Sequence, residues 1–334
     1  MITHGPEDVT IIGVRRRGVP SIDATRSIVE LKRRLKVIES VFDTRRLSHR
    51  GTDQQDIADY YSQSARSYLR FHSPEGAIHM ALNPDGRFDR RGYAGQCLLV
   101  EKHLMDDRVR TVLEMGSGFG FNLRFLAARH PEVRFVGIDL VPRQVALARR
   151  HAAHLPNLTY EVGDFHRLAF KENSIDAVYA IESLCHATDL KSAFSEIRRV
   201  LMPGGKLAVI DAWRTDRFPD LPEEVRRAAV YAESAMSVGR ADKFGSWRAE
   251  ALAQDFQLVF DQDLTNQIVP TLRRLEKAAT SYLRHRSIAR LGLRLLPEKL
   301  ITNAIAGYLM PLTVGFGAHT YRVVVLSKPA APAR

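Results

Sequence analysis

The sequence predicts an α/β fold with a mostly parallel β-sheet, an antiparallel last strand, a helical N-terminal cap and inserted lid helices. Short apolar, β-favouring runs alternate with segments of helical periodicity through residues 111–211, and a glycine-rich turn joins the first run to a helix. Such alternation is typical of a parallel sheet covered by helices on both faces. Helical periodicity before this segment and after it predicts the cap and the lids.

The N-terminal cap is expected to span residues 1–92. Residues 1–20 are punctuated by glycine and proline and are not expected to pack well. Helices are predicted at 21–42 and 53–69, because apolar residues recur there at helical spacing. Residues 71–86 mix proline and glycine with aromatic and imidazole side chains, which predicts a loop.

The core is expected to span residues 93–330, and residues 111–140 organise it. This segment predicts a strand, a glycine turn, a helix and a second strand that ends at Asp139. Because glycine has no side chain, the backbone can turn tightly beneath a ligand at such positions. The glycines of the turn are Gly116, Gly118 and Gly120.

The remaining elements follow from the same periodicities. Lid insertions are expected at about 214–250 and 270–315, where the regular alternation loosens. Residues 202–205 read as a turn before a strand, and residues 291–312 are apolar with scattered charge. Helices are predicted at 94–104, 142–154, 190–200, 223–237, 247–253 and 268–283, and strands at 158–162, 175–181, 206–211, 256–260 and 321–326.

The charge beside the glycine turn indicates which cofactor it binds. A glycine pattern of this kind also occurs in dinucleotide-binding folds, where the turn carries a pyrophosphate and a nearby negative charge is unfavourable. Here Glu114 stands two residues before Gly116, which favours a cationic ligand. S-adenosylmethionine (SAM) carries a sulfonium and an ammonium, and its ribose diol needs an acceptor such as Asp139. The sequence therefore favours SAM over NAD.

Composition sets broad limits on the protein class. The protein has 334 residues and is 45% hydrophobic, as expected for a globular protein. Its two cysteines and the lack of a signal-like apolar segment predict a cytoplasmic protein. The net charge of +11 is concentrated in residues 1–50 and 271–300. This charge could attract RNA, an anionic lipid surface or a phosphorylated substrate, or could be solvated surface.

Residues 111–211 resemble the core of class I SAM-dependent methyltransferases. In that family an acidic residue precedes the glycine turn, another ends the second strand, and a Pro-Gly-Gly turn precedes the fifth. Residues 176–187, DAVYAIESLCHA, are similar to YAIEATCHAP, the fourth-strand motif of the C-methyltransferases that modify sterol side chains. The pair Tyr60-Tyr61 and the later Ile78-His79-Met80 are similar to that family's N-terminal region, and residues 263–270 resemble a segment of tocopherol and quinol methyltransferases.

The resemblance implies a set of cofactor-binding residues. Asp164 and Phe165 follow the third strand, where the family recognises adenine, although they could form a surface turn instead. Asp139 could also act as a helix cap, and Gln144 could be a helix-surface residue. The cofactor-binding residues expected on this basis are Glu114, Gly116, Ser117, Gly118, Asn122, Asp139, Leu140, Gln144, Asp164 and Phe165.

The expected catalytic residues are Glu182, His186, Tyr61 and His79. Methyl transfer to an alkene creates a carbocation that must later lose a proton. A carboxylate such as Glu182 would stabilise the cation and accept the proton, and His186 is the alternative base unless it only caps or packs. An aromatic wall could steady the cation, or these side chains could simply pack; its candidates are Tyr60, Tyr61, Phe71, His79 and Trp213.

The sequence therefore predicts a SAM-dependent methyltransferase acting on a hydrophobic small molecule, by C-methylation of an isoprenoid, terpene or sterol-like lipid. O-methylation of a phenol or quinol is one alternative. RNA methylation is another, although the fourth strand lacks the NPPY-type motif and nucleic acid is not the expected partner. A non-catalytic scaffold is a third. No metal motif occurs; weak contact with an anionic membrane surface and homo-oligomerisation remain open.

Overall fold

The computed structural model describes residues 24–45, 53–239, 241–295 and 297–330. Seven strands form one sheet in the order β3-β2-β1-β4-β5-β7-β6. The strands are β1 (Thr111–Met115), β2 (Arg134–Asp139), β3 (Leu158–Val162), β4 (Ile175–Ile181), β5 (Leu201–Arg214), β6 (Gln257–Asp263) and β7 (His319–Ser327). Strands β1 to β5 pair in parallel, and β7 runs antiparallel between β5 and β6, so the predicted fold class is confirmed.

Eleven α-helices of eight or more residues lie within the described ranges. Their order in the sequence is α1 (Ala24–Val41), α2 (Gln54–Ser67), α3 (Gly95–Leu104), α4 (Phe121–Arg129), α5 (Pro142–His151), α6 (Leu190–Val200), α7 (Glu223–Ala235), α8 (Phe244–Ala253), α9 (Thr265–Leu283), α10 (Arg286–Leu295) and α11 (Glu298–Gly315). No described helix is long and apolar enough to cross a lipid bilayer.

The strand order places the ends of β1, β2 and β4 side by side. Strand β1 pairs with β2 on one side and with β4 on the other. The order in which the strands are added to the sheet reverses between β1 and β4. Open parallel sheets bind ligands at such a switch point, at the carboxyl ends of the strands. Residues that follow Met115, Asp139 and Ile181 are therefore brought to one edge.

The helices outside the alternating core form a separate layer. Helix α11 packs against α7, α9 and α2, and α1 packs against α7 and α11. Apolar side chains such as Leu35, Val225 and Ile305 are buried in this layer. The segments expected to form the N-terminal cap and the lid insertions thus pack together, because each has one apolar face to bury.

Two predicted features differ from the structure. Residues 202–205 do not form a separate turn, because β5 begins at Leu201 and passes through them. Gly204, with φ of 79°, lets the strand bulge, and the register shifts between the pairs Ile175–Leu201 and Ala177–Lys206. Residues 291–312 are divided between α10 and α11, and Pro297 forms the N-cap of α11. The stretch 1–20, which was not expected to pack well, lies outside the described residues.

Candidate active site

A single cavity of about 720 Å³ lies at the carboxyl edge of the sheet, beneath the helical layer. One end is formed by the residues that follow β1, β2 and β3, and the other by apolar side chains of α9 and α11, such as Leu275, Ala278 and Ile301. Glu182 and His186, which follow β4, also line it. A ligand bound at the sheet edge would therefore share one continuous cavity with an apolar ligand beneath the helices.

The glycine turn after β1 is held by backbone hydrogen bonds and by close packing. The amides of Gly116 and Ser117 both donate to the carbonyl of Ile138, over 2.9 Å each. Gly116 has φ of 71°, and a Cβ atom added there would lie 2.4 Å from the Cβ of Ser183. Only glycine fits at this position, and the turn consequently exposes backbone to the cavity.

Asp139 shapes this end of the cavity. Its Oδ2 accepts a hydrogen bond from the amide of Gly118 over 2.8 Å, and Oδ1 accepts one from the amide of Val141 over 2.9 Å. Burial raises the pKa of Asp139 to about 6. The residue lines the cavity but does not cap α5, whose N-cap is Val141. The carboxylate thus braces the turn and remains beside the space in which a ribose would bind.

Two polar atoms at this end have no hydrogen-bond partner within the described part of the protein. They are the Oγ of Ser117 and the Nε2 of Gln144, both buried in residues that line the cavity. A buried polar atom without a partner costs free energy, so a polar ligand would satisfy both groups. This observation fits a cofactor with hydroxyl and carboxylate groups, and Leu140 lies beside them.

The Glu114 side chain lies behind the glycine turn rather than in the cavity wall. It is 1% exposed, and its Oε1 accepts a hydrogen bond from Nδ2 of Asn122 over 2.8 Å. Burial raises the pKa of Glu114 to about 8. The residue predicted to attract a cationic ligand therefore has no direct access to one, and Asn122 is the member of this pair that lines the cavity.

Asp164 and Phe165 line the cavity on the side of β3. Asp164 accepts hydrogen bonds from the backbone amide and the Nδ1 of His166, over 2.9 and 2.7 Å. Its Oδ2 accepts another from Gln54, at the start of α2. The cap helix therefore reaches down to the segment in which adenine recognition is expected.

Glu182 follows β4 at the sheet edge and lines the cavity. Its Oε1 accepts hydrogen bonds from the amide of Met80 over 2.7 Å and from the hydroxyl of Tyr321 over 2.8 Å. Burial raises the pKa of Glu182 to about 7. The residue has φ of 47°, a conformation that costs free energy and that often marks a functional position. A carboxyl group of this pKa can exchange a proton near neutral pH.

His186 and Tyr61 form a pair across the cavity. The hydroxyl of Tyr61 lies 2.8 Å from Nε2 of His186, and Nδ1 lies 3.2 Å from the carbonyl oxygen of Ser237. Burial lowers the pKa of His186 to about 4, so the ring is neutral at neutral pH. Both ring nitrogens are engaged, and His186 has no nitrogen free to accept a proton from a substrate.

Both ring nitrogens of His79 lie close to oxygen atoms, and the neutral ring donates to one of them. Its Nε2 lies 2.9 Å from Oδ1 of Asn122, and its Nδ1 lies 3.1 Å from the carbonyl oxygen of Met80. Burial lowers the pKa of His79 below its ordinary value. The ring lines the cavity, and its contacts link the loop 73–89 to α4; its predicted catalytic role stays a prediction.

The predicted aromatic wall is only partly present. Tyr60, Tyr61, Phe71 and His79 line the cavity, whereas Trp213 does not. Trp213 is buried beside Phe244 and Trp247 on the other face of the sheet region, with its ring 4.9 Å from that of Trp247. Its inclusion in the wall was wrong, because successive side chains of a strand point to opposite faces and Trp213 points away from the cavity.

Sequence reasoning missed several residues of the site. Tyr68, Asn303 and Tyr321 line the cavity and take part in its hydrogen bonds, and Glu233 lines it while bound to Arg214 and His319. Most lie on segments far apart in sequence, without a motif. The one available signal was the spacing of Tyr60, Tyr61 and Tyr68 within the helix predicted at 53–69.

The geometry agrees with comparisons to known proteins. Residues 113–209 match the family described as methyltransferase domain. The protein is 31% identical over 158 residues to the sterol 24-C-methyltransferase ERG6 of Saccharomyces cerevisiae, covering 46% of this chain and 41% of that protein. It is 38% identical over 191 residues to the sterol 24-C-methyltransferase of Candida albicans, covering 54% and 50%. The chain thus spans about half the length of these relatives or less.

Solved structures support the fold. The [4+2]-cyclase SpnF has a TM-score of 0.66 at 20% identity, covering 84% of this chain and 98% of that one. The cyclopropane synthase MmaA2 from Mycobacterium tuberculosis has a TM-score of 0.66 at 18% identity, covering 83% of this chain and 99% of that one. A geranyl diphosphate C-methyltransferase from Streptomyces coelicolor A3(2) has a TM-score of 0.61 at 18% identity, covering 82% of this chain and 98% of that one. The predicted resemblance to class I SAM-dependent methyltransferases is therefore confirmed for residues 113–209, which match a methyltransferase domain, and the chain shares its fold with these structures.

Proposed function

We propose that this protein transfers the methyl group of SAM to a hydrophobic small molecule, by C-methylation of an isoprenoid, terpene or sterol-like lipid. One observation carries the proposal: a single cavity joins the glycine turn and Asp139 to an apolar space beneath α9 and α11. Methyl transfer requires the donor and the accepting carbon to meet in a water-poor space. The cavity provides this arrangement.

SAM fits the end of the cavity at the sheet edge. Gly116 and Gly118 would allow the methionine part to lie against the backbone, Asp139 would accept from the ribose, and Asp164 with Phe165 would hold the adenine. The unpartnered Ser117 and Gln144 atoms would gain hydrogen bonds to the cofactor. The matched methyltransferase family and the names of its relatives support SAM as the methyl donor. SAM supplies an electrophilic methyl group, and this protein holds the acceptor in line with it.

The charges of the cavity favour an uncharged substrate. Among the described lining residues, Asp139, Asp164, Glu182, Asp211 and Glu233 carry carboxyl groups, and Arg274 is the one guanidinium. Arg274 already donates to the carbonyls of Phe71 and His72. A diphosphate would therefore meet carboxylates without a free cation among the described lining residues to balance it. A neutral lipid avoids this repulsion, and the relatives named as sterol methyltransferases agree with it.

Glu182 is proposed as the base. The alkene π electrons form the new C–C bond as the S–CH₃ bond breaks, and the sulfur keeps the electron pair. The positive charge on the neighbouring carbon is removed when Glu182 accepts a proton from the substrate. The carboxylate is suitably placed because it lines the cavity and because burial raises its pKa to about 7.

O-methylation of a phenol or quinol remains the alternative within this class. It needs a base for the hydroxyl proton, and His186 is the natural candidate. The hydrogen bonds from His186 to Tyr61 and Ser237 argue against that role. RNA methylation has less support, because the acceptor end of the cavity is lined by apolar side chains beneath the helical layer.

Helix α10 supports a contact with an anionic membrane surface. Ile288, Leu291 and Leu295 on this helix are 60%, 53% and 71% exposed. Arg286, Arg290 and Arg294 lie on the same ten-residue helix. Exposed apolar side chains beside arginine are typical of helices that lie in the membrane interface. Helix α10 connects α9 and α11, which form the apolar end of the cavity, so a lipid could enter from the membrane.

Transfer of methyl-labelled SAM to compounds in lipid extracts tests the proposed function. We expect the label to appear on a carbon atom of a neutral isoprenoid or sterol-like lipid. Label on a phenolic oxygen would favour the alternative, and label on RNA alone would contradict the proposal. For the membrane contact, flotation with anionic vesicles should recover the protein at low salt, and Leu291→Asp should reduce recovery; equal recovery with neutral vesicles would contradict it.

A further inference from the structure

The cavity contains two phenol groups whose hydrogen bonds run away from it. Tyr61 and Tyr68 both line the cavity, and each hydroxyl has one hydrogen-bond partner among the described residues. A phenol can donate one hydrogen bond and can also accept. What each hydroxyl offers to a substrate therefore depends on whether its proton is already given to that partner.

The proton of Tyr61 is given to His186. The carbonyl oxygen of Ser237 can only accept, so Nδ1 of His186, 3.2 Å away, must carry the ring proton. Because burial lowers the pKa of His186 to about 4, Nε2 has no proton at neutral pH. The hydroxyl of Tyr61, 2.8 Å from Nε2, must then donate to it. The lone pairs of Tyr61 remain for the cavity.

The proton of Tyr68 is given to Tyr60 by a second series of bonds. Nδ2 of Asn303 donates to the carbonyl oxygen of Lys299 over 3.3 Å, which fixes the orientation of the amide. Its Oδ1 therefore accepts from Tyr60 over 2.6 Å. Since Tyr60 has given away its one proton, the 2.7 Å bond between Tyr60 and Tyr68 must be donated by Tyr68. Tyr68 also keeps only lone pairs for the cavity.

Both phenols face the same region as Glu182. The pKa of Tyr61 and that of Tyr68 are raised, chiefly by burial and in part by the negative charge of Glu182. Glu182 in turn accepts from Tyr321, whose oxygen accepts from Gln96 over 3.1 Å. The hydroxyl oxygens of Tyr61 and Tyr68 and the ionised carboxylate of Glu182 thus line the cavity as hydrogen-bond acceptors.

We propose that Tyr61 and Tyr68 stabilise the positive charge that develops on the substrate carbon after methyl transfer, with their oxygen lone pairs held toward it. Asn303 and Tyr60 position Tyr68, and His186 positions Tyr61. The proposal rests on the proposed function and extends it by naming the residues that oppose the cation. Groups oriented before the reaction stabilise charge without reorganising, which is the source of their effect on rate. A carbonyl or phosphate group would find no hydrogen-bond donor in Tyr61 or Tyr68.

Binding of matched lipid probes tests the proposal without knowledge of the substrate. Dodecyldimethylamine, which is protonated at neutral pH, mimics the cation; dodecanol and dodecanoate are its neutral and anionic counterparts. With S-adenosylhomocysteine bound, we expect the amine to bind roughly tenfold more tightly than dodecanol, and dodecanoate to bind least. Tyr68→Phe should remove most of that preference. Equal affinity for the amine and the alcohol in the unmodified protein would overturn the proposal.

The positioning role of Asn303 and Tyr60 is tested by Asn303→Leu and Tyr60→Phe. Asn303→Leu removes the acceptor of the Tyr60 proton, and Tyr60→Phe removes the acceptor of the Tyr68 proton. In both variants the Tyr68 proton can turn toward the cavity, so the preference for the amine should fall. Binding of S-adenosylhomocysteine should stay unchanged. The control is Tyr282→Phe, because Tyr282 lines the cavity but donates to the carbonyl of Ala289. Retention of the preference in folded Asn303→Leu and Tyr60→Phe would refute the positioning role.

The probes separate this inference from the proposed function. If labelled methyl transfer is observed but the amine has no advantage over dodecanol, only the inference fails. If no lipid receives the label but the amine preference is present and depends on Tyr68, the proposed function fails while the acceptor-lined cavity stands. Thermal unfolding of each variant shows whether its fold is intact, and Tyr60→Phe provides a conservative second variant if Asn303→Leu does not fold.

Discussion

The two ends of the cavity are built in different ways. At the sheet edge, Gly116, Asp139 and Glu182 each lie where a strand ends, and the parallel register of β1, β2 and β4 aligns them. At the apolar end, helices α2, α9 and α11 come from segments far apart in the sequence. The first end depends on local motifs and the second on packing between distant helices. Cofactor binding and substrate selection should therefore respond separately to mutation.

The largest expected effect comes from Gly116→Ala. The added Cβ would lie 2.4 Å from that of Ser183, and the φ of 71° is unfavourable for alanine. We expect binding of S-adenosylhomocysteine to weaken by roughly a hundredfold or more, measured by calorimetry. Gly204→Ala is the matched control, since its φ is 79° but no atom lies within 4 Å. Equal losses in both variants would mean that backbone strain alone accounts for the effect.

Glu182→Gln tests the residue proposed as the base. The substitution keeps the shape of the side chain but removes the base, so turnover should fall by roughly a hundredfold while affinity for S-adenosylhomocysteine stays nearly normal. The measurement is transfer of labelled methyl at saturating SAM. If His186→Asn abolishes transfer and Glu182→Gln leaves it intact, the base is the imidazole and the O-methyltransferase alternative gains support.

Ala304→Phe tests the apolar end alone. Ala304 lines the cavity on α11 and is partly buried, so a phenyl ring would occupy space intended for the substrate. We expect transfer to a long lipid to fall roughly tenfold, with binding of S-adenosylhomocysteine unchanged. A parallel loss of cofactor affinity would show that the two ends are coupled.

The smallest expected effect concerns stability. The folded-state pKa of Glu182, about 7, is above its ordinary value of 4.5. The stabilising contribution of the Glu182 carboxyl group to the free energy of unfolding is therefore fully present below pH 4.5 and is lost as pH rises through about 7. Glu182→Gln should flatten the decline in the free energy of unfolding over this range by on the order of 1–3 kcal/mol, measured by urea denaturation. Parallel pH profiles in the two proteins would contradict the raised pKa.

The difference between the two ends of the cavity also explains which site residues the sequence predicts and which it does not. The strands at 111–115, 158–162 and 175–181 and the turn at Gly116 follow from short-range signals, namely β-favouring runs and glycine. Glu182 and Asp139 were placed by their positions at strand ends. Asn303 has no such signal, because its role arises from a contact with Tyr60, which lies far away in the sequence.

Glu114 and Trp213 show a second limit. Both were assigned to the site from their neighbours in sequence, yet a residue's neighbours do not decide which face of a strand it occupies. Glu114 is buried beside Asn122, and Trp213 packs with Phe244. Strand alternation gives no signal for either residue, because buried strands are apolar on both faces.

Calorimetric titration with S-adenosylhomocysteine and with NADH shows directly whether the sheet edge binds a SAM-type cofactor. We predict micromolar-scale affinity for S-adenosylhomocysteine, weakened roughly tenfold to a hundredfold in Asp139→Ala because a ribose contact is lost, and unchanged in Ala304→Phe. No binding of NADH is expected. Binding of NADH without binding of S-adenosylhomocysteine would mean that the sheet edge does not bind a SAM-type cofactor.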